Sequence, residues 1–320
     1  MSAPYADFIR VSYPQPHDLR ARQILAAHPE IRMLAGHTSS TALFVVALVA
    51  LQLVLAVAAR QAPWWALLLG AYAIGATIDH ALWVLIHDCT HNLVFEGPAA
   101  NRLLAIVANV PFVLPAAISF RKYHLLHHRH LGEPDLDADV PGPLEAKLVG
   151  RTAARKAIWL LLFSFVQGVV RPMRLRRVRF FDGWTALHLV VQVACMAAFL
   201  TLAGGRALAF LGVSSFFAIG LHPFGARWIQ EHYVFKEGQE TYSYYGPLNK
   251  LCFNMGYHNE HHDLVTVPWS RLPRVRALAP EFYDDLYAHR SWTALLFRFI
   301  MDSRVGPDRR TVRPGRAASP

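Results

Sequence analysis

Three short histidine clusters dominate the chemistry that this chain could perform. They read His-Asp-Cys-Thr-His, His-Leu-Leu-His-His and His-Asn-Glu-His-His, and their histidines are His87, His91, His124, His127, His128, His258, His261 and His262. Residues three and four apart share one face of a helix, so each cluster directs its imidazoles to one region. A zinc ion needs four ligands, or three and a catalytic water, and eight imidazoles exceed that need. The spacing therefore predicts a site for two metal ions.

Other residues beside the clusters extend this prediction. His232 follows the last apolar segment at a similar depth, and we predict it to be a ninth ligand. Metal-bound imidazoles usually donate their second N–H to a carboxylate or another acceptor. The residues that we expect to support the ligands in this way are His80, Asp88, Glu231, Asn259, Glu260 and Asp263. We expect these carboxylates to orient imidazoles rather than to bind metal, because no Glu-x-x-His occurs at the clusters.

Other polar residues of the chain carry weaker signals. Asp135, Asp137 and Asp139 follow the second cluster, and they form either a solvated loop or a polar wall for a substrate head group. The sequence favours neither interpretation. The remaining histidines are expected to have ordinary capping or structural roles, and they are His17, His28, His37, His130, His188, His222 and His289.

The elements that must position these residues are apolar. Of 320 residues, 54% are hydrophobic and 17% are charged, which is typical of an integral membrane protein. The runs long enough to cross about 30 Å of hydrocarbon are 41–59, 63–86, 184–203 and 207–221. Shorter runs at 103–118 and 157–170 are expected to be interfacial or re-entrant. The fold class predicted is an all-α integral membrane protein with four transmembrane helices in two hairpins, interfacial helices and a cytoplasmic cap that carries the histidine clusters.

The distribution of charge predicts orientation. Arg60 and Arg206 lie in the short loops of the two hairpins, and most other basic residues fall on the opposite side. The positive-inside rule places that opposite side, with both termini and all three clusters, in the cytoplasm. The net charge is +10, and its densest patch, at 171–179, follows an apolar interfacial run. We expect this patch to face anionic lipid, and we expect no nucleic-acid partner.

The chain is predicted to form one domain over residues 1–305. This domain would comprise a cytoplasmic N-terminal segment at 1–38, a membrane region at 41–222 with the first two clusters, and a cytoplasmic region at 223–305 with the third. The basic, proline-rich end at 306–320 is expected to be disordered. No disulfide is expected among Cys89, Cys195 and Cys252.

The predicted site limits the reactions that it could catalyse. Imidazole binds iron, copper, nickel and zinc, so the ligands alone leave the metal open. Hydrolysis needs one metal and a water, whereas an unactivated C–H bond requires a metal that activates oxygen. We therefore expect two iron ions, with O₂ as a co-substrate and a lipid chain as the substrate.

The three clusters resemble the histidine boxes of the membrane fatty acid desaturase superfamily, and they are called box one, box two and box three below. Further strings resemble the sphingolipid Δ4-desaturases, also called dihydroceramide desaturases. They are Glu-Thr-Tyr-Ser-Tyr-Tyr-Gly-Pro-Leu-Asn at 240–249, Gly-Tyr-His-Asn-Glu-His-His-Asp at 256–263, Ser-Phe-Arg-Lys-Tyr-His at 119–124, Gln-Pro-His at 15–17, His-Pro-Glu-Ile at 28–31 and the segment at 291–302. The resemblance covers residues 7–302.

The resemblance implies a defined reaction. The enzyme would use O₂ to remove two hydrogens from the sphingoid chain of a dihydroceramide-like lipid and leave a trans double bond. It implies a separate electron donor, either a b-type cytochrome or a ferredoxin-like protein, and a location in a bacterial inner membrane or the endoplasmic reticulum. Two departures bear on these expectations. Asp88 stands where animal members carry Glu, and Leu-Val-Thr-Val-Pro at 264–268 replaces a more usual Phe-Pro-Asn-Ile-Pro string.

Other functions remain open from sequence. A fatty-acyl desaturase or a lipid C-hydroxylase would use the same two-iron site, because desaturation and hydroxylation differ only in the fate of the carbon radical. A zinc-dependent membrane lipid amidase or receptor would need about three histidines with an acidic or serine partner. A metal transporter would place its ligands in mid-span, where polar residues mark ion paths, whereas these lie at the ends of spans.

Overall fold

A computed structural model of the chain describes residues 5–175 and 178–314. The described residues are mostly helical. The helices are α1 (His17–Ala27), α2 (Thr41–Ala59), α3 (Trp64–Thr90), α4 (Pro98–Asn109), α5 (Ala117–Arg129), α6 (Pro143–Val149), α7 (Ala153–Leu161), α8 (Phe163–Arg174), α9 (Gly183–Ala203), α10 (Gly205–Phe217), α11 (Ala226–His232), α12 (His258–Asp263), α13 (Leu272–Leu278) and α14 (Trp292–Met301). Short 3₁₀ turns lie at Pro29–Leu34, Pro223–Gly225, Pro247–Cys252 and Pro280–Phe282. The strands are β1 (Ile9–Arg10) and β2 (Thr311–Val312).

Within the described residues, three helices are long and apolar enough to cross a membrane. These are α2, α3 and α9, with mean hydropathies of 2.8, 1.4 and 2.0 over their most apolar windows. About two thirds of that window in α3 is buried, against 22% in α2 and 11% in α9. The helix α3 is therefore central, and the other two present most of their apolar surface outward, as lipid-facing helices do. The prediction of a multi-span helical membrane protein is confirmed at this level.

The structure matches the predicted set of four spans only in part. Residues 207–221 were expected to be a span, but α10 has 13 residues and a length of about 20 Å. Just beyond the end of this helix, Gly220 passes against the carbonyl of Leu160, where a Cβ atom would lie 2.8 Å from the oxygen. The helices α7 and α8, expected to be interfacial or re-entrant, form a pair bent by 60° that is either a broken span or a re-entrant loop. The described chain thus has three or four candidate spans.

The predicted tight turn between α9 and α10 is present. Gly204 has φ +84°, a left-handed conformation that glycine adopts without a steric penalty. After this turn, α10 approaches α3 closely, because a Cβ atom at Gly75 would overlap the Ser214 hydroxyl. Small residues at a helix interface allow such close contact in membranes. This packing fixes α3, whose C-terminal turn carries box one.

The N-terminal segment covers box three. Ile24 of α1 and Ile31 and Leu34 of the following turn are buried against the segment at 264–283, and Leu264, Val267 and Val275 belong to the same apolar cluster. Burial of such side chains contributes about 1.5–3 kcal/mol each before chain entropy is counted. Residues 24–34 are therefore part of the structure that encloses the site.

The expectation of a disordered end is wrong for residues 306–314. β2 pairs in parallel with β1, so that Ile9 lies opposite Thr311. The guanidinium of Arg313 donates to the carboxylate of Glu240 and to the carbonyl of Leu131. The basic composition suggested disorder because it does not reveal which arginines find buried partners. Residues 315–320, which fall under the same expectation, lie outside the described residues.

Candidate metal centre

Box one lies at the end of α3. His87 is in the last turn of the helix, and His91 is the first residue after it. Their rings are 4.7 Å apart between centroids, because residues four apart lie one above the other on the helix surface. His87 is buried and makes ring contacts with His124 and His261 at 4.5 Å and 4.4 Å. Box one therefore faces both other boxes.

Box two lies on α5 and presents two directions. His124 and His128 are one turn apart and face box one, and the Nε2 atom of His124 lies 3.0 Å from that of His91. His127 precedes His128 by one residue and is rotated from it by about 100°, the turn per residue of an α-helix. Its Nε2 atom lies 3.1 Å from that of His232 instead. Phe120, one turn before His124, stacks on its ring at 4.8 Å.

Box three on α12 divides in the same way. His258 and His262 are one turn apart, and their ring centroids are 4.5 Å apart. The Nε2 atom of His258 lies 3.0 Å from that of His232. His261 points elsewhere, with its Nε2 atom 3.1 Å from that of His128. One residue of rotation thus separates the two directions on this helix as well.

The imidazoles consequently form two adjacent groups. The first imidazole group is His87, His91, His124, His128 and His261, whose ligand atoms lie within 4.8 Å of one another. The second imidazole group is His127, His232, His258 and His262. The groups adjoin where the rings of His128 and His262 stack at 4.1 Å. All nine histidines predicted as ligands, including His232, are brought together here.

The nitrogen geometry fits metal ions. Two nitrogens bound at right angles to one metal, each at about 2.1 Å, would be about 3.0 Å apart, which is close to the Nε2–Nε2 distances of both groups. Both ring nitrogens of His87 and Nε2 of His262 are buried and lack a hydrogen-bond partner among the described residues. An unpaired buried polar atom costs about 1–3 kcal/mol, and a bound metal would remove that cost.

The electrostatics favour neutral imidazoles, which is the form that binds metal. Burial lowers the pKa of His128 and His261 well below the usual value, and neighbouring histidines lower it further. His127 is different. Burial opposes its protonation, but the nearby Asp137 and Asp139 outweigh burial and raise its pKa.

Asp137 accepts a hydrogen bond from a box imidazole, a role that the sequence analysis had assigned to other carboxylates. His127 donates from Nδ1 to Asp137 Oδ1 at 2.9 Å, which leaves Nε2 facing the second imidazole group. Asp137 is fully buried and also accepts the backbone N–H groups of Gly132 and Asp139, each at 2.8 Å. The acidic stretch after box two is thus neither simply solvated nor a bare wall. Its position directly after box two was the only signal for this role.

Several residues expected to support imidazoles have other partners. Among the described hydrogen bonds, none joins Asp88, Glu260 or Asp263 to a box histidine. Asp88 accepts weakly from the N–H of Trp269, and Glu260 accepts from the hydroxyls of Ser243 and Tyr245. These carboxylates lie between the box histidines or directly after them on their helices, so they point away from the imidazole groups and hold the surrounding loops.

The other expected supporting residues also differ in their contacts. Glu231 pairs with Arg227 and lies 3.7 Å from Nδ1 of His258, which is the one predicted contact of this kind that the structure approaches. His80 Nδ1 lies 2.7 Å from the carbonyl of Ala218, where it joins α3 to the end of α10. Asn259 and Asp263 hold the N-terminal helix, together with His17, which sequence patterns had assigned an ordinary structural role.

Comparison with known proteins agrees with the box pattern. The fatty acid desaturase family matches residues 62–294, and the family described as sphingolipid Delta4-desaturase (DES) matches residues 4–40. "Sphingolipid delta(4)-desaturase DES1-like" of Oryza sativa subsp. japonica is 42% identical over 96% of this chain and 93% of its own length. "Sphingolipid delta(4)-desaturase/C4-monooxygenase DES2" of Homo sapiens is 42% identical over 99% and 98%. "Sphingolipid delta(4)-desaturase DES1" of Drosophila melanogaster is 41% identical over 96% and 95%.

Proposed function

Since this chain belongs to the fatty acid desaturase family, we propose that it is a sphingolipid Δ4-desaturase, an oxidoreductase that introduces a double bond into the sphingoid chain of a dihydroceramide-like lipid. Support comes from relatives named for this activity that align over nearly the full length of both chains. The match of residues 4–40 to the sphingolipid family favours this substrate over a fatty-acyl lipid.

The observation that carries the proposal is the pair of adjacent imidazole groups. We assign one metal ion to the first imidazole group and one to the second. Iron bound there would activate O₂ so that it can cleave an unactivated C–H bond, which no side-chain acid or base can do. A zinc-dependent amidase would leave most of the nine imidazoles without a role.

The chain's own residues orient the ligands and keep water away. Asp137 holds the proton on Nδ1 of His127, and the carbonyl of Glu240 lies 3.3 Å from Nδ1 of His232. These contacts direct both Nε2 atoms toward the second imidazole group. No member of that group is more than 6% exposed. Exclusion of water strengthens the electrostatic interactions in the site and protects reactive species from side reactions.

The electron balance requires a partner. Reduction of O₂ to two waters takes four electrons, of which the lipid supplies two when it loses two hydrogens. The other two must come from outside, so we propose a separate donor, either a b-type cytochrome or a ferredoxin-like protein. We place the boxes and both termini on the cytoplasmic side of a bacterial inner membrane or the endoplasmic reticulum, because most basic residues lie on that side of the predicted spans.

Hydroxylation is a second candidate function. The human relative carries C4-monooxygenase in its name besides desaturase. The two outcomes share the first C–H cleavage, and they differ in whether the carbon radical loses a second hydrogen or captures oxygen. A lipid C-hydroxylase would therefore need the same two-metal site.

Lipid mass spectrometry tests the proposal. Cells that express the chain are fed a saturated dihydroceramide, and the purified protein is analysed for iron and zinc. A product lighter by two hydrogens supports the desaturase, and a product heavier by one oxygen atom supports the hydroxylase. His261→Ala should abolish turnover, whereas His37→Ala, a change at an exposed histidine, should not. A protein that holds zinc alone and leaves the lipid unchanged would contradict the proposal.

A further inference from the structure

A buried polar network ties the N-terminal helix to box three. His17 lies 2.7 Å from Asp263 Oδ1 through Nδ1 and 2.9 Å from the hydroxyl of Thr241 through Nε2. Arg20, one turn later on α1, donates from Nε to Asp263 Oδ2 at 2.7 Å and from Nη2 to Asn259 Oδ1 at 2.8 Å. At least 224 positions of sequence separate His17 and Arg20 from each of these partners.

The network adjoins the second imidazole group on three sides. The ring of His17 lies 4.8 Å from that of His262. Asn259 and Asp263 directly follow His258 and His262 in sequence, so the two hydrogen bonds from Arg20 fix both ends of α12. The hydroxyl of Thr241, which His17 contacts, is also 3.4 Å from Nδ1 of His232.

His17 and Arg20 make fewer contacts with the first imidazole group than with the second. Among the described residues, the hydrogen bonds and ring contacts of His17 and Arg20 include no member of that group. The asymmetry follows from the geometry of α12. Asn259 and Asp263 are one turn apart on the side that faces α1, whereas His261 points toward box two.

The network is buried enough to constrain geometry. The side chain of Asp263 is fully buried, and that of Arg20 is 15% exposed. A buried charge without its partner is strongly unfavourable, so these groups stay paired in the folded protein. The Arg20 guanidinium is planar and binds Asp263 and Asn259 together, which restricts the orientation of α12 as well as its distance.

The N-terminal segment also lies outside the general family match. The fatty acid desaturase family matches 62–294, whereas His17 and Arg20 fall within 4–40, the part matched by the sphingolipid family. The helix that contacts the second imidazole group therefore lies in a segment that the fatty acid desaturase family match does not include.

We propose that His17 and Arg20 are positioning residues for the second metal ion, so that α1 affects the affinity of the second imidazole group, to which α12 contributes His258 and His262, more than that of the first, to which it contributes only His261. The inference rests on the proposed function of the two groups as metal sites. Loss of a residue that orients metal ligands typically weakens metal binding by about 10- to 100-fold. The expected change is larger in one of the two binding steps than in the other, and general destabilisation of the fold would not produce this difference.

Titration of the metal-free, full-length protein with ferrous iron under anaerobic conditions tests the inference. The variants are Arg20→Gln, which keeps hydrogen-bonding groups but loses the charge, and Arg20→Lys, which keeps the charge but loses the planar fork. Arg22→Gln is the matched control, because Arg22 is an exposed arginine on the same helix. We expect binding at the second imidazole group to weaken by about 10- to 100-fold in Arg20→Gln and by less in Arg20→Lys, with a smaller change at the first group in both.

Two results would overturn the inference. One is wild-type affinity for both iron ions in Arg20→Gln. The other is equal weakening of both steps in Arg20→Gln and Arg20→Lys, because that pattern would mean that Arg20 serves only general stability. His17→Asn provides an independent check and should weaken binding at the second imidazole group more than at the first. Failure of the proposed function looks different, because the unaltered chain would then bind fewer than two iron ions before any substitution is made.

Discussion

Replacement of Asp137 by Asn isolates the role of one carboxylate with almost no change in shape. The carboxylate of Asp137 is fully buried and accepts three hydrogen bonds, from Nδ1 of His127 and from the N–H groups of Gly132 and Asp139. The bonds from His127 and Asp139 share Oδ1, and the bond from Gly132 uses Oδ2. Every partner is a donor, so the site requires two accepting oxygens.

The expected loss of metal affinity in Asp137→Asn follows from these hydrogen bonds. An Asn side chain has one accepting oxygen, so its amide group must face a donor in either orientation. If the amide faces Gly132, one bond is lost, and if it faces His127, the imidazole loses the acceptor that fixes its tautomer. A buried donor left unsatisfied costs about 1–3 kcal/mol, which corresponds to about 5- to 150-fold in an equilibrium constant. We therefore expect metal affinity at the second imidazole group to fall by about 10- to 100-fold.

The assay is iron titration of the purified variant, followed by measurement of lipid turnover at saturating iron. Asp135→Asn is the control, because Asp135 lies in the same loop and is exposed. Asp137→Asn should show the weaker second binding step, and high iron should restore part of its turnover. If both variants bind iron and turn over lipid as the unaltered chain does, then Asp137 does not hold His127 and the argument is refuted.

Two further predictions concern stability. Lys156→Met should lower the melting temperature, because Lys156 donates to three backbone carbonyls at and beyond the end of α14. Each such hydrogen bond from a charged group contributes about 1.5–3 kcal/mol to stability. Arg155 is an exposed neighbour, and Arg155→Met should unfold at the same temperature as the unaltered chain. Truncation after Pro307 removes β2 and should reduce both thermal stability and iron content, whereas truncation after Pro314 should preserve them. Equal unfolding curves within either pair would contradict the corresponding prediction.

Helical periodicity in the sequence predicts that the box histidines converge on one site. The three boxes and His232 do converge, because apolar helices with imidazoles at their ends bring those ends together. Their division into two groups is harder to predict. His127 and His128 differ by one residue, or about 100° of rotation, and the group that each joins depends on the tertiary position of α5. Only the packed structure supplies that position.

The residues that hydrogen-bond to the ligands are predicted poorly from the sequence. Proximity in sequence suggested Asp88 and Glu260, but residues between two ligands on a helix point away from the face that carries the ligands. Asp137 is ten residues beyond His127 and reaches it because the chain turns back after α5. Composition also misjudged the C-terminal end, since it does not show that Arg313 and Glu240 would meet.

The pairing of β1 with β2 has a consequence for biosynthesis. Ile9 and Thr311 are neighbours in the folded protein, yet the ribosome makes the second some three hundred residues after the first. Arg310 lies 3.9 Å from Asp137, so the surroundings of His127 are completed by a residue that is translated after all three boxes. Domains that fold as they emerge can begin from their N-terminal parts, but this contact cannot form before Arg310 has been made. Completion of the surroundings of His127 therefore follows the synthesis of all nine predicted ligands.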